Sequence, residues 1–380
     1  MWAEQTIPPT DATRLMALES IAVLDVVNAI HDHPEFLVTA DAPDGISEAA
    51  AIAAAAEHVL SALLPGQKAS LAADLAQSLD GVPDGAAEDK GVAFGRAVAD
   101  AVLAARAHDG SNSVVHDPGS HEPGAWHPTL PAYAPAVSPQ WGAVTPFTLT
   151  SADQFQPPGP PAMTSSEYAA ALNEVKEFGS ATSTARTADQ TEIAIFWAND
   201  SGTYTAPGHL DHIAIDIAKQ AGTGVEESAL MLAELDVAMA DAAIAAWNAK
   251  YTDAFWRPIE AIRHADADGN AATTADPDWL PLLPTPSHPE YPSGHAVFAG
   301  AWASVMEAFY GNMSFSATSA ELPGVTRHFD SFADAAAEDA QSRIYAGVHY
   351  QFSAQDGLAL GKDVAGWVQA TFHQDGLLQA

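Results

Sequence analysis

Cysteine is absent from the 380 residues. Disulfides and thiolate metal sites are thereby excluded, and redox chemistry gives no clue to compartment. Positive charge is scarce: 14 Lys and Arg stand against 49 Asp and Glu, a formal net charge of −35. So acidic a surface repels nucleic acid and anionic membranes, and neither is expected as a partner. It suits solubility or a salty environment. No apolar run reaches the roughly 20 residues that cross a bilayer, so no membrane span is expected. Met1-Trp-Ala-Glu4 lacks the basic and apolar parts of a leader. The soluble chain is expected in the cytoplasm, or secreted or periplasmic if a signal has been removed. What is abundant is apolar: 48% of residues, ample for a sizeable core.

Alanine-rich segments with helical spacing dominate, which predicts an all-α protein of helical bundles. Residues 1–109 read as an N-terminal helical scaffold: Thr10 to Ile30 capped by Thr10 or Asp11, Ser47 to Leu64 capped by Ser47, Gln67 to Leu79, and Asp84 to Ala107. These helices carry no clustered chemistry and offer a surface for a homo-oligomer. Residues 110–162 change character, being rich in Pro, Gly, Ser and aromatics, among them Trp126, Tyr133, Trp141, Phe147 and Phe155. The aromatics argue against disorder, so this stretch is expected to be an irregular but ordered wrap. Residues 163–380 read as a second bundle: Thr164 to Ser180, Thr187 to Trp197 opened by a Thr187/Gln190 capping box and closed by Asn199–Gly202, His209 to Gln220, Glu226 to Lys250, Val325 to Gly347 and Ala354 to Phe372. The Glu226 helix is mostly apolar and predicted central; Glu234, Asp236 and Asp241 on it are read first as a solvated edge, with at least one buried carboxylate that has a partner as the alternative. Asp266 to Asn270 resembles the start of a calcium loop but lacks Gly at 271 and a carboxylate at 277, and is expected to be a plain turn.

Three motifs carry chemistry, all within the second bundle. Tyr291-Pro-Ser-Gly-His295 feeds an apolar run and reads as a loop entering a helix N-terminus, where free N–H groups and a partial positive charge favour anions. Upstream lies Lys250 to Pro258 and downstream Ser342-Arg343 to His349. Taken singly, each also reads as ordinary helix punctuation. Together they concentrate Lys250, Arg257 and Arg343, three of the scarce cations, beside two imidazoles and a helix-end turn. Two guanidinium forks and an ammonium suit a tetrahedral oxyanion. Ser293 Oγ and the Gly294 N–H would add hydrogen bonds, Gly because the backbone must approach closely. Arg343 and His349 do not share a helix face, so the helix is expected to end near Gly347.

The set K-x6-R-P, P-S-G-H and S-R-x5-H resembles the type 2 phosphatidic acid phosphatase superfamily, which includes vanadium-dependent haloperoxidases. Leu283 to His295 and Phe196 to His209 resemble its bacterial haloperoxidase-like branch. The resemblance implies vanadate as cofactor, a site phosphate also fits, with His349 as its metal ligand and Lys250, Arg257, Ser293, Gly294 and Arg343 around it. It implies His295 as acid–base, hydrogen peroxide and halide as substrates, and a small organic acceptor. In the family's acid phosphatases the residue matching His349 attacks phosphorus instead, and an oxyanion-binding homologue without turnover is a third reading. Trp247, three residues before Lys250, matches an aromatic of the haloperoxidase pocket, and His288 matches a position where bromide-selective members have His. Bromide or iodide is therefore the expected halide. One departure stands out. The carboxylate of the phosphatase motif S-R-x5-H-x3-D is replaced by Ser353 here, so His349 is expected to be less basic and a weaker nucleophile unless Asp356 substitutes.

Overall fold

The structure is a computed structural model that describes residues 7–199 and 202–377. The Met1–Glu4 reading and the middle of the Asn199–Gly202 turn lie outside them. Twelve α-helices among the described residues run α1 Pro9–Ile30, α2 Glu48–Leu63, α3 Lys68–Leu79, α4 Ala86–Ala105, α5 Ser166–Phe178, α6 Ala188–Phe196, α7 Thr205–Ala221, α8 Val225–Asp253, α9 Pro258–Arg263, α10 Gly294–Tyr310, α11 Phe332–Tyr345 and α12 Gln351–Gln374. No single one is long and apolar enough to cross a membrane.

Local chemistry explains most boundaries. The Ser47, Ser165 and Ser331 side chains accept the N–H three residues on, and Thr187 with Gln190 forms the full capping box. Helix α1 departs from expectation: its cap is Pro8, with no side-chain bond, because Pro9 in the first turn has no N–H to satisfy. A second correction concerns Val325 to Gly347, expected as one helix. Its start is a strand, β2 (Thr326–Phe329), paired antiparallel with β1 (Phe315–Thr318) so that Phe315 faces Phe329. Both phenylalanines are buried, and Phe315 stacks on Phe332 at 5.2 Å, so packing overrides the helical reading. The Asp266 turn closes on itself, with Asp268 accepting from the Asn270 N–H and the Thr273 hydroxyl.

Helix α8 is the axis. It is buried from Leu235 through Trp247 and packs against α1, α10 and α12. One continuous apolar core therefore runs from Met16 on α1 to Phe372 on α12. The solvated edge expected on α8 does not exist: Glu234, Asp236 and Asp241 are all buried. Asp241 accepts the N–H groups of Phe147, Thr148 and Leu149 and the Thr148 hydroxyl at 2.7–3.1 Å, pinning the irregular 110–162 segment onto α8. That segment is irregular as expected, with one short 3-10 turn at Trp141–Ala143. Helices α10 and α12 cross closely because Gly357 has no side chain; a Cβ there would meet Ser293 O at 2.8 Å and Ala296 Cβ at 2.9 Å. This crossing brings the start of α10 beside the start of α12, and so positions the site.

Candidate active site

Each motif ends an element at the same place. Lys250 lies in the last turn of α8, Arg257 precedes α9, Ser293 precedes α10, and Arg343 lies in the last turn of α11. Helix α11 stops at Tyr345, and Gly347, at φ +81°, turns the chain so that His349 faces back. Lys250, Arg257, Ser293 and Arg343 are fully buried, and His349 is 2% exposed. Burying three cations together is strongly unfavourable unless negative charge joins them.

Lys250 Nζ donates to the backbone oxygens of Pro289 (3.1 Å), Glu290 (3.0 Å) and Pro292. Burial first, and then the Arg257 charge, push its pKa well down. Three carbonyls on one amine still call for three N–H donors, which only the ammonium supplies. Lys250 thus clamps the loop before α10 and presents its charge, rather than its protons, to the basin. Arg257 donates through Nε to His288 O at 2.8 Å and through Nη1 to Val348 O at 2.9 Å. Its Nη2 lies 3.0 Å from His288 Nδ1. Arg343 Nη1 donates to Trp197 O at 3.4 Å. Burial lowers Arg257 to about 10, opposed by the Glu290 carboxylate and aided by the Arg343 charge.

The tautomer of His349 is fixed from two sides. Arg257 Nη1 lies 3.1 Å from His349 Nε2, and a guanidinium only donates, so Nε2 is the bare nitrogen. Nδ1 then carries the proton and donates to Glu290 Oε1 at 2.8 Å. Glu290 also accepts the Tyr350 N–H at 3.0 Å, and Ser353 Oγ donates to its Oε2 at 2.6 Å. Burial pushes the Glu290 carboxyl up to about 7, opposed by the Ser353 hydroxyl, the Arg257 charge, the Tyr350 N–H and the Lys250 charge. Burial also drives His349 well below its ordinary range, with the Arg257, Lys250 and Arg343 charges adding. The arrangement is a neutral imidazole, held by an acid, with its lone pair toward the cations.

This corrects the expectation that His349 lacks a carboxylate. Glu290 supplies one from the loop before α10, and Ser353 steadies that carboxylate instead of replacing it. Asp356 is engaged elsewhere, accepting from Tyr291 Oη at 2.7 Å. Glu290 lies 59 residues before His349 in the chain, so the local motif does not pair the two. Its signal was present: an acid between Pro289 and the Pro-Ser-Gly turn, inside an otherwise uncharged motif.

Ser293 Oγ is buried with no protein partner, while Gly294 opens α10. A Cβ at Gly294 would meet only ordinary contacts, 3.5 Å from the Trp247 ring, so packing of the protein alone does not demand glycine. His295 Nε2 lies 3.2 Å from Ala198 O, which requires its proton there. Burial, then the Arg343 charge, hold this ring neutral by lowering it well below its usual value. Trp247 lies 5.6 Å under Lys250 Nζ and 5.1 Å from the His288 ring. Trp247, His288, Gly294, His295 and His349 all border one cavity of about 670 Å³. Burial, then Arg257 and Lys250, keep His288 neutral as well.

Three buried cations, an unpartnered hydroxyl, a helix N-terminus and a bare imidazole nitrogen fit a tetrahedral or five-coordinate oxyanion such as vanadate or phosphate. The family model described as the VCPO second helical-bundle domain matches residues 230–375, which contain every motif. Vanadium chloroperoxidase of Curvularia inaequalis is 30% identical over 283 residues, covering 57% of this chain and 46% of that protein. The chain thus spans about half the length of that curated relative. A bacterial vanadium-dependent iodoperoxidase structure superposes with a TM-score of 0.86 at 29% identity, covering 97% of this chain and 92% of that one. A holo-type bacterial vanadium-dependent chloroperoxidase structure, at 19% identity and a TM-score of 0.75 over 97% and 93% of the two chains, shares the fold.

Proposed function

We propose that the chain is a vanadium-dependent haloperoxidase that oxidises bromide or iodide with hydrogen peroxide, using vanadate seated in the Lys250, Arg257, Ser293, Gly294, Arg343 and His349 basin. The observation that carries this reading is the bare Nε2 of His349, aimed by Glu290 into a basin of three buried cations. When bound there, vanadate supplies a Lewis acid that activates peroxide without changing oxidation state.

The remaining work falls to the chain. His349 would be a protein ligand to the metal through Nε2. Arg257 and Arg343 would neutralise the oxygens of the bound anion, and Lys250 would add charge in a buried site, where it acts strongly. Ser293 Oγ and the first N–H groups of α10 would donate to those oxygens. His295, held neutral by burial and then by the Arg343 charge, would serve as the base that takes a proton from incoming peroxide and the acid that returns it. Trp247 and His288 form the wall at which halide arrives. A polar His288 ring beside Lys250 admits water and softens the field on the bound oxygens. That favours the more easily oxidised halides, bromide and iodide, over chloride.

The test is protein stripped of vanadate, assayed with and without added vanadate for peroxide-dependent bromide and iodide oxidation. Activity that appears only with vanadate is expected; none with either halide overturns the proposal. Glu290 also gives the acid phosphatase reading specific support, because it restores the carboxylate a nucleophilic His349 needs. There His349 attacks phosphorus, a phosphohistidine forms, and His295 protonates the leaving oxygen. Hydrolysis of a phosphomonoester by vanadate-free protein selects that reading.

A further inference from the structure

The β1–β2 hairpin stands away from the basin, yet its contacts converge on the end of α6 that meets it. Arg327 on β2 donates through Nε and Nη2 to the two carboxylate oxygens of Glu338 on α11, at 2.7 and 2.8 Å. Its Nη1 donates to Asp189 Oδ1 at 3.1 Å and to Glu192 Oε1 at 2.9 Å, both on α6. Glu338 Oε1 also accepts from the Trp197 indole Nε1 at 3.0 Å. The side chains of Arg327 and Glu338 are only 14% and 19% exposed, so this is a fixed two-pronged pair and not a loose surface contact.

Trp197 directly follows α6 and is buried. The final carbonyls of a helix find no partner within it. Here three in succession are met by side chains from other elements: Phe196 O by Ser319 Oγ at 2.7 Å, Trp197 O by Arg343 Nη1 at 3.4 Å, and Ala198 O by His295 Nε2 at 3.2 Å. Burial, then the Arg343 charge, keep His295 neutral, so its one ring proton sits on either nitrogen and the nearest acceptor decides which. The Ala198 carbonyl puts it on Nε2. At 3.2 Å that bond is already at the long end of its range, and a small displacement of the chain at residue 197 breaks it. The Trp197 ring packs against Phe196, His209 and Phe329, contacts that tolerate sliding. Its bond to Glu338 is the directional one.

We propose that Glu338 is a positioning residue for His295: backed by Arg327, it holds the Trp197 indole and so keeps the Ala198 carbonyl on His295 Nε2. The consequence for proton transfer rests on the haloperoxidase reading; the hold on the ring does not.

Imidazole ¹⁵N NMR of the vanadate-free protein at neutral pH reads the tautomer, the His295 signals being those absent from His295→Ala. The wild type is expected to show one tautomer, with the proton on Nε2. Glu338→Gln keeps an oxygen for the indole and should keep that tautomer. Glu338→Leu offers none and should give a mixture of the two. Thermal unfolding checks that each variant is folded where it is measured. If Glu338→Leu does not fold, Trp197→Phe takes its place with the same expected outcome, since it removes the indole donor and leaves the Arg327–Glu338 pair intact. With vanadate saturating, kcat for halide oxidation should fall about tenfold in the variant without the indole bond and stay within about twofold in Glu338→Gln, with KM for halide unchanged. A wild-type tautomer in the variant without the indole bond overturns the proposal, as does a Glu338→Gln equally disturbed. A tautomer set by Glu338 in a protein without halide oxidation would keep this positioning role and remove the function proposed above. Halide oxidation with a tautomer indifferent to Glu338 would do the reverse.

Discussion

Replacing Glu290 by Gln isolates what its charge does for His349. The amide is the same size, and its oxygen can accept from both His349 Nδ1 and the Tyr350 N–H, which now meet Glu290 Oε1 at 2.8 and 3.0 Å. The Ser353 hydroxyl, 2.6 Å from Oε2, turns to accept from the new NH2 group. Geometry and tautomer are therefore kept while the negative charge is lost. A hydrogen bond to a charged group contributes about 1.5–3 kcal/mol, roughly twice a neutral one, so about 1 to 2 kcal/mol of support for a metal-bound imidazole disappears. Weaker orientation and basicity of a metal-bound His typically lower affinity about 10- to 100-fold. Vanadate affinity of Glu290→Gln, followed by ⁵¹V NMR or equilibrium dialysis, should fall within that range, with phosphate affinity falling in parallel. Glu290→Ala is more severe, since it leaves three buried donors without an acceptor. Adding Ser353→Asp to it returns a carboxylate to the family's usual position and should recover part of the loss. Wild-type vanadate affinity in Glu290→Gln, or no recovery in the double variant, would refute the reasoning.

Three further outcomes are expected. His349→Ala should abolish vanadate binding, whereas His295→Ala should keep it and slow turnover by ~100-fold or more; equal loss of vanadate in both would show that the division of roles is wrong. His288→Phe should raise chloride oxidation relative to bromide, and an unaltered ratio of the two rates removes His288 from halide selection. Stability should fall as pH rises toward 7. Burial lifts Glu19, Asp211 and Glu234 to about 7 and Asp25 to about 6. The fold therefore retains protons that the unfolded chain releases above about pH 4, and the stability this contributes at low pH is lost by the time pH has risen through 6 and 7. His209, lowered to about 4, acts oppositely, withdrawing stability as pH falls from 6.5 toward 4. Tm should thus decline between about pH 6 and pH 7 and level off above, with a smaller decline in Asp211→Asn; a Tm that climbs across that interval contradicts the assignment of buried, proton-binding carboxyls.

The sequence by itself determined the helical class and most helix boundaries and put forward the cations of the candidate basin, because these depend on local rules. Caps lie one turn from the N–H groups they satisfy, as at Ser47 and Thr187, and the concentration of scarce cations in three motifs is visible without coordinates. The β1–β2 hairpin was not legible, since its strands are four residues each and exist because Phe315 and Phe329 reach the same core. Nor was the fate of the acids. Asp241 looks like an interruption in an apolar helix until the 147–149 backbone is laid against it. Glu290 and His349 are 59 residues apart, and the carboxylate reaches the imidazole only because the Gly357 crossing sets the start of α10 against the start of α12. Periodicity and capping act within a turn or two of chain, so they report which groups are present. Which buried group satisfies which other is decided by packing between distant segments, where an unpaired charge or donor is too unfavourable to remain.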